Sequence, residues 1–248
     1  MEHRSFNILG NIAVVNFSDK TKLKDKKTFA QEILKKNPNI KTVLEKSGKF
    51  SGRLRKMKTK YLAGEKNKEV LYKENNCVFR FNLDTTYFSP RLSNERKEIA
   101  SMIKKTDKVL VMFAGVGPYS ICIAKNSKAK VYSNEINREA NKYSELNIKL
   151  NNVKDKVELI PGDIKRVAQK LADAKQKFDF IVMPRPRLKE SFLKQAFLLS
   201  KKGTRIFYYD FCKVEDKDKI IEKIKDEAKK AKKKIKILRI KHAGEIAP

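Results

Sequence analysis

The run Met112-Phe113-Ala114-Gly115-Val116-Gly117-Pro118 follows directly on the apolar stretch Val109–Val111. Gly115 and Gly117 let the backbone turn tightly and approach a ligand, and Pro118 suits the first turn of a helix. The third glycine of the dinucleotide fingerprint is missing, because position 120 is Ser. Such a turn suits an adenosine without a pyrophosphate. Glu135 ends a second apolar run twenty residues after Gly115, the spacing at which an acid accepts hydrogen bonds from ribose hydroxyls. Gly162-Asp163 ends a third run, where an acid can take the exocyclic amine of adenine. Each of these alone serves equally well as a helix cap or a turn residue. Three of them at three successive strand ends describe a nucleoside-binding rim, and S-adenosylmethionine is the ligand that suits it.

Positioning such a rim requires strands that end side by side. Strand-length apolar runs at Val109–Ala114, Lys130–Glu135, Val157–Ile160, Phe178–Met183 and Thr204–Phe211 alternate with helical patterns at Pro118–Lys125, Arg138–Leu150, Lys165–Ala174 and Leu188–Leu199. Strands apolar nearly throughout are buried on both faces, which predicts a parallel sheet covered by helices, a doubly wound α/β domain. Ligands in such folds bind beyond the carboxyl ends of the strands. A helix over Ser93–Lys104, with Ser93 as its cap, leads into this region. Residues 1–82 read as a separate, small α+β domain. Two short strands flank Leu9-Gly10-Asn11, and a helix over Lys26–Lys36 stops at Asn37-Pro38. Residues 83–248 then form the catalytic domain. Its last stretch, Lys213–Lys241, holds thirteen basic and six acidic residues, a charged helix followed by an alternating strand at Lys236–Ile240, expected to add antiparallel to the sheet.

The totals point to a polyanionic partner. Lysine and arginine number 59 against 29 acids, a formal net charge of +30. Each cation laid on a phosphate releases counterions, so nucleic acid is the natural partner of such a surplus. Eight basic side chains fall within residues 41–60 (Lys41, Lys46, Lys49, Arg53, Arg55, Lys56, Lys58 and Lys60), interleaved with turn and apolar residues. That composition fits a surface gripping a nucleic-acid backbone, and equally a solvated loop. No apolar run reaches bilayer-spanning length and none at the N-terminus resembles a signal peptide, so a cytoplasmic protein without a membrane role is expected. Cys77, Cys122 and Cys212 have no metal-ligand spacing, and the two histidines, His3 and His242, stand near opposite ends. No metal is expected, nor a histidine-based triad. Cys77 and Cys122 read as small core residues.

A fourth motif precedes the sheet: Asp84-Thr85-Thr86-Tyr87-Phe88-Ser89-Pro90-Arg91-Leu92-Ser93-Asn94-Glu95-Arg96. Aromatics, a hydroxyl, two arginines and an acid are gathered in one turn leading into a helix. The run Tyr-Phe-Ser-Pro-Arg-Leu-x-x-Glu-Arg, followed by Met-Phe-Ala-Gly-Val-Gly-Pro, strongly resembles the archaeal and eukaryotic tRNA guanine-37 methyltransferase family. That family includes a wybutosine-synthesis branch, which transfers an aminocarboxypropyl group. The resemblance covers nearly the whole chain. It includes Gly10–Ala13, Tyr61-Leu62-Ala63-Gly64-Glu65 and the ending Ile246-Ala247-Pro248.

The resemblance implies a Rossmann-like, class I methyltransferase-type fold, with S-adenosylmethionine as donor and a tRNA anticodon stem-loop as partner. By position, Ser89 and Arg96 would hold the methionine carboxylate, Phe113 to Gly117 would line the adenosine, Glu135 would take the ribose and Asp163 the base. The acid matching Glu95 is the general base in the methyltransferases. Arg96→Ala is then expected to lose transfer while keeping the fold, and Arg185 and Arg187 could meet anticodon-loop phosphates or equally serve as ordinary surface residues. One departure is decisive for the branch. Where the methyltransferases carry Asn-Leu-Pro after the fourth strand, this chain has Met183-Pro184-Arg185-Pro186. Proline has neither a side-chain donor nor an N–H to offer a guanine edge. Nor is the extra N-terminal RNA-binding domain typical of the methyltransferases expected in this chain. Both features point to tRNA 4-demethylwyosine aminocarboxypropyl transfer at position 37 of phenylalanine tRNA, by a monomer. N1-methylation of guanosine 37 is the alternative, and a tRNA-binding protein with a vestigial donor site is the alternative of another class.

Overall fold

The computed structural model of the protein describes residues 6–48, 57–184, 188–212 and 214–242. Strand β1 (Phe6–Leu9) turns at Gly10-Asn11 into β2 (Ile12–Val15), the two short strands expected, and the pair is antiparallel. Helix α1 (Leu23–Lys36) stops where Asn37 returns both its backbone N–H and its side-chain amide to the Ile33 carbonyl, one residue before Pro38. It carries the chain to β3 (Thr42–Lys46), parallel to β2, and β4 (Thr59–Gly64) runs back antiparallel to β3. The period of two along a strand sorts the side chains between two faces. Ala13, Val15 and Val43 pack with Ala30 and Ile33 of α1, whereas Ile12, Val14 and Leu44 join the main core. Lys46, Lys58 and Lys60 lie on or beside the β3–β4 pair. Lys49, Arg53, Arg55 and Lys56 of the basic stretch lie outside the described residues.

A hairpin follows, β5 (Glu69–Glu74) and β6 (Cys77–Asn82). Its two-residue turn, Asn75-Asn76, is left-handed at both positions, which matches the twist of paired strands. The hairpin is anchored by α4 (Arg138–Leu150) and the residue just past it. Asn151 accepts from the Val78 N–H and donates to the Val78 carbonyl, and Asn147 does the same for Arg80. Four residues of helix rise about 6 Å and two residues of strand about 7 Å, so two amides one helical turn apart meet alternate residues of the strand edge. Side chains thereby take the place of a third strand. By this packing the hairpin belongs with the larger domain, although a boundary at 82/83 would leave it in the smaller one.

The central sheet is five-stranded and wholly parallel. Its strands are β7 (Lys108–Met112), β8 (Lys130–Glu135), β9 (Val157–Pro161), β10 (Phe178–Met183) and β11 (Ser200–Tyr208), in spatial order β11-β10-β7-β8-β9. Alternate residues feed two cores. Val109, Val111 and Val131 pack with Ile99 of α2 (Ser93–Met102) and Ile121 of α3 (Pro118–Ser127). Leu110, Met112 and Ile181 pack with Ile164 and Val167 of α5 (Ile164–Asp173) and Phe197 of α6 (Leu193–Leu199). This is the doubly wound α/β architecture expected from the apolar runs. Cys77 and Cys122 are buried in the first core, and Cys212 is exposed.

Four local expectations are corrected. Ser93 has helical dihedrals and is not a cap; a 3-10 turn over Pro90–Leu92 runs straight into α2. Residues 188–192 are not helical, because Phe192 is left-handed (φ 59°) and α6 starts only at Leu193. Strand β11 starts earlier than Thr204, at Ser200, and passes an irregularity stitched by Thr204 Oγ1 donating to the Phe178 carbonyl. Helix α7 (Lys217–Lys230) is the charged helix expected, but residues 233–242 form no strand. Alternation selects a face without supplying a partner edge. Arg239 and Lys241 hold this segment to Glu98 of α2 instead.

Candidate active site

The strand order reverses between β7 and β10, so a crevice opens at their carboxyl ends. The chain leaves β7 through three left-handed residues, Phe113 (φ 61°), Gly115 (φ 58°) and Gly117 (φ 89°). At Gly115 a Cβ would meet only the Tyr87 carbonyl, at 3.5 Å, so the space before the backbone is open. Gly117 has a different reason. A Cβ there would stand 2.8 Å from Ser144 Oγ and 3.1 Å from Ile121 Cδ1, so this glycine lets α3 and α4 close together.

Glu135 ties the rim together. Its Oε2 accepts from the Gly115 N–H at 2.8 Å, and its Oε1 accepts from the N–H groups of Ile136 (2.8 Å) and Asn137 (2.7 Å). Three backbone donors hold this carboxylate at the rim, since each of its oxygens can accept more than one hydrogen bond. Asp163 caps α5, taking the Lys165 N–H at 3.0 Å. The Gly162 N–H beside it donates to the Glu135 carbonyl. Asn134, buried one residue before Glu135, donates to the carbonyls of Ile160 and Gly162 and so clamps the ends of β8 and β9. Phe113 stacks edge-on against Phe192, with ring centroids 5.0 Å apart.

The loop after β6 crosses this turn. Asn137 donates to the Thr85 carbonyl at 2.9 Å, and the Tyr87 carbonyl overhangs Gly115. At the loop's start, Asp84 accepts from Thr59 of β4 and from Lys68. At its far end, the Ser89 carbonyl accepts from Arg96 at 2.9 Å. Arg96 itself is buried, 1% exposed, and grips Glu74 at the end of β5 through two hydrogen bonds of 2.5 and 2.6 Å. Its guanidinium lies over the Phe88 ring, 5.2 Å from the centroid, and over the Tyr119 ring, 5.6 Å from the centroid. This burial argues against the expectation that Arg96 can be removed without harm to the fold. Deleting one member of a buried pair leaves an uncompensated charge. Arg96 acts here by holding the Ser89 turn.

Glu95, its neighbour on α2, has other partners. Its Oε1 accepts from the Tyr209 hydroxyl at 3.2 Å and its Oε2 pairs with Lys241 at 2.9 Å. Tyr119 donates in turn to the Tyr209 hydroxyl, at 3.0 Å. Burial pushes the Tyr119 phenol up to about 12, and burial with the adjoining Tyr119 and Glu95 pushes Tyr209 further still, so both stay protonated donors. Asn134 and Asn137 carry a visible signal, polar residues at the end of an apolar run. Glu74, Tyr119 and Tyr209 carry none, because their roles exist only through contacts distant in sequence. Arg185 and Arg187 lie outside the described residues, and Pro184 directly follows β10. Among the described residues no group of His, Cys, Asp or Glu could hold a metal ion, and no helix is long and apolar enough to cross a membrane.

Residues 70–238 match the TRM5/TYW2 methyltransferase domain. The chain belongs to that family. Residues 2–67 match the TYW2 N-terminal domain, so the junction between the two matches precedes the hairpin. Among relatives of this TRM5/TYW2 chain, the tRNA (guanine(37)-N(1))/4-demethylwyosine(37)-methyltransferase Taw22 of Nanoarchaeum equitans is 43% identical over 60% of the chain and 49% of its own length. The tRNA (guanine(37)-N(1))-methyltransferase Trm5b of Pyrococcus abyssi is 35% identical over 84% of the chain and 60% of its own length. The crystal structure of Trm5b from Pyrococcus abyssi superposes with a TM-score of 0.85 at 34% identity, covering 98% of this chain and 71% of that one. The chain thus spans about half the length of the curated relatives it matches.

Proposed function

We propose that this chain is an S-adenosylmethionine-dependent transferase acting on the base at position 37 of tRNA. The observation that carries the proposal is the Gly115–Glu135 bridge at the strand-order reversal, an open backbone cradle with an acid fixed beside it. A nucleoside laid on Gly115 presents its ribose hydroxyls to Glu135 and its base toward Asp163 and Phe113. Ser89, held by Arg96 from behind, faces the methionine end. The net charge of +30 suits an anticodon stem-loop. A loop base can be splayed from its stack into such a crevice.

The donor's sulfonium activates three attached carbons, and the one lying in line with the nucleophile is transferred. We favour the aminocarboxypropyl arm, delivered to demethylwyosine in phenylalanine tRNA. Pro184 supports this, since it offers no hydrogen bond where a guanine edge would be read, and so does the match of residues 2–67 to the TYW2 N-terminal domain. A second reading, N1-methylation of guanosine 37, is favoured by the names of the relatives. On either reading the enzyme works as a cytoplasmic monomer without a metal. Donor labelled separately in the methyl group and in the carboxylate distinguishes the two, with demethylwyosine-containing tRNA and unmodified transcript as acceptors. Carboxylate label in the tRNA, with methylthioadenosine released, is the expected outcome. Methyl label alone would establish methylation, and entry of neither label would leave a tRNA-binding protein.

A further inference from the structure

The first turn of α2 carries two charged neighbours with opposite assignments. Arg96 turns into the core to hold the donor-side loop. Glu95 meets two other elements at its carboxylate, with a third behind one of them. Tyr209 comes from the residue after β11, Lys241 from the C-terminal stretch, and Tyr119, from α3, stands behind Tyr209. Each carboxylate oxygen has its own partner, at 3.2 Å and 2.9 Å. Tyr119 lies two residues after Gly117, in the helix that begins at the donor turn. The hydroxyl chain Tyr119–Tyr209–Glu95 therefore links the helix that follows the donor turn to the acid.

We propose that Tyr209 and Lys241 are positioning residues for Glu95, fixing its carboxylate at the mouth of α2 toward the incoming base. The proposal rests on Glu95 being the acceptor-side base in the transfer reaction above. Tyr209 is a one-way donor. Its hydroxyl receives from Tyr119, so its own proton has the carboxylate as its only near acceptor in this chain of bonds. Burial, followed by the nearby Tyr119 and Glu95, keeps that phenol protonated. Lys241 is shared between Glu95 and Glu98, and Arg239 takes the other side of Glu98. The two contacts raise the ammonium's affinity for its proton, Glu98 first and Glu95 second. The C-terminal stretch is thus pinned across the start of α2 by charge pairs, and the Glu95 side chain, 17% exposed, keeps a narrow opening to solvent. A carboxylate held from two sides loses little freedom when substrate arrives, which is how positioning contributes to rate.

A purely structural role, in which these bonds only fasten the C-terminal stretch to α2, predicts different behaviour. Single-turnover transfer with the full chain and demethylwyosine-containing tRNA separates the two, together with donor affinity by calorimetry. Tyr209→Phe and Lys241→Met are each expected to slow transfer by about tenfold or more while donor affinity stays within about twofold. Lys241→Arg should restore most of the rate, since it keeps the charge and the donors. The deciding readout is the double variant. If Tyr209 acts through Glu95, Tyr209→Phe has no further effect in a Glu95→Gln background. Multiplied effects in the double variant, or a normal rate in Tyr209→Phe alongside a slow Glu95→Gln, would overturn the proposal and leave the transferase reading standing. A normal rate in Glu95→Gln removes the base assignment and this proposal with it. No transfer by the unaltered chain on either acceptor removes the transferase reading itself.

Discussion

Arg96 and Gly115 show how one residue's surroundings decide what its loss does. The Arg96–Glu74 pair is buried at both ends, 1% and 4% exposed, and breaking such a pair costs about 3–5 kcal/mol. Arg96→Ala should therefore lower the midpoint of thermal unfolding by roughly 10 °C in a chain of this size. A circular-dichroism melt checks this, and an unchanged midpoint would return Arg96 to a purely ligand-facing role. At Gly115 the reverse holds. The φ of +58° costs an alanine about 1–2 kcal/mol, but its Cβ meets nothing closer than 3.5 Å within the protein. Gly115→Ala should melt only a few degrees lower yet lose donor affinity by about tenfold or more, because the methyl group occupies the cradle. Calorimetric titration with S-adenosylmethionine measures this directly, and undiminished affinity would place the donor elsewhere.

Elements here are joined as much by asparagines as by apolar contact. Asn147 satisfies both backbone groups of Arg80 and also the Val116 carbonyl, and it is fully buried. Truncation to alanine leaves an N–H and two carbonyls without partners, and an unsatisfied buried group costs about 1–3 kcal/mol. Asn147→Ala is accordingly expected to loosen the β5–β6 hairpin before the central sheet. Hydrogen exchange should quicken at Arg80 while the β7 amides stay protected. Equal quickening in both would mean that the hairpin and sheet unfold as one unit. Because Glu74 at the end of β5 holds Arg96, loosening the hairpin should also slacken the Ser89 turn.

At the scale of the whole molecule, charge should govern the proposed encounter with RNA. A net charge of +30 implies that binding is driven largely by counterion release. Affinity for tRNA should fall by about a thousandfold or more between roughly 50 and 200 mM salt if six or more phosphates are contacted. Donor affinity, which the proposed site sets through backbone groups with Glu135 and Asp163, should barely move over the same range. Fluorescence anisotropy with labelled tRNA measures the first and calorimetry the second. A flat tRNA response would mean that the surplus of lysine serves something other than RNA.

Much of this protein was legible one residue at a time. Strand-length apolar runs predict a parallel sheet because burial on both faces leaves no polar alternation, and β8, β10 and α4 fall where those runs place them. The rim residues Gly115, Glu135 and Asp163 were visible because each ends such a run. What escaped depends on neighbours far along the chain. The strand pattern at Lys236–Ile240 pairs with neither edge of the sheet and is tied to Glu98 instead, and Ser93 looked like a cap until the 3-10 turn ran into it. Arg96 and Glu95 are adjacent in sequence, yet one is sealed by Glu74 from a distant hairpin and the other is held by Tyr209 and Lys241. Local periodicity records which face a residue shows to the core. Only tertiary packing supplies the charge or hydroxyl that meets it there, because that partner is chosen by topology and not by spacing.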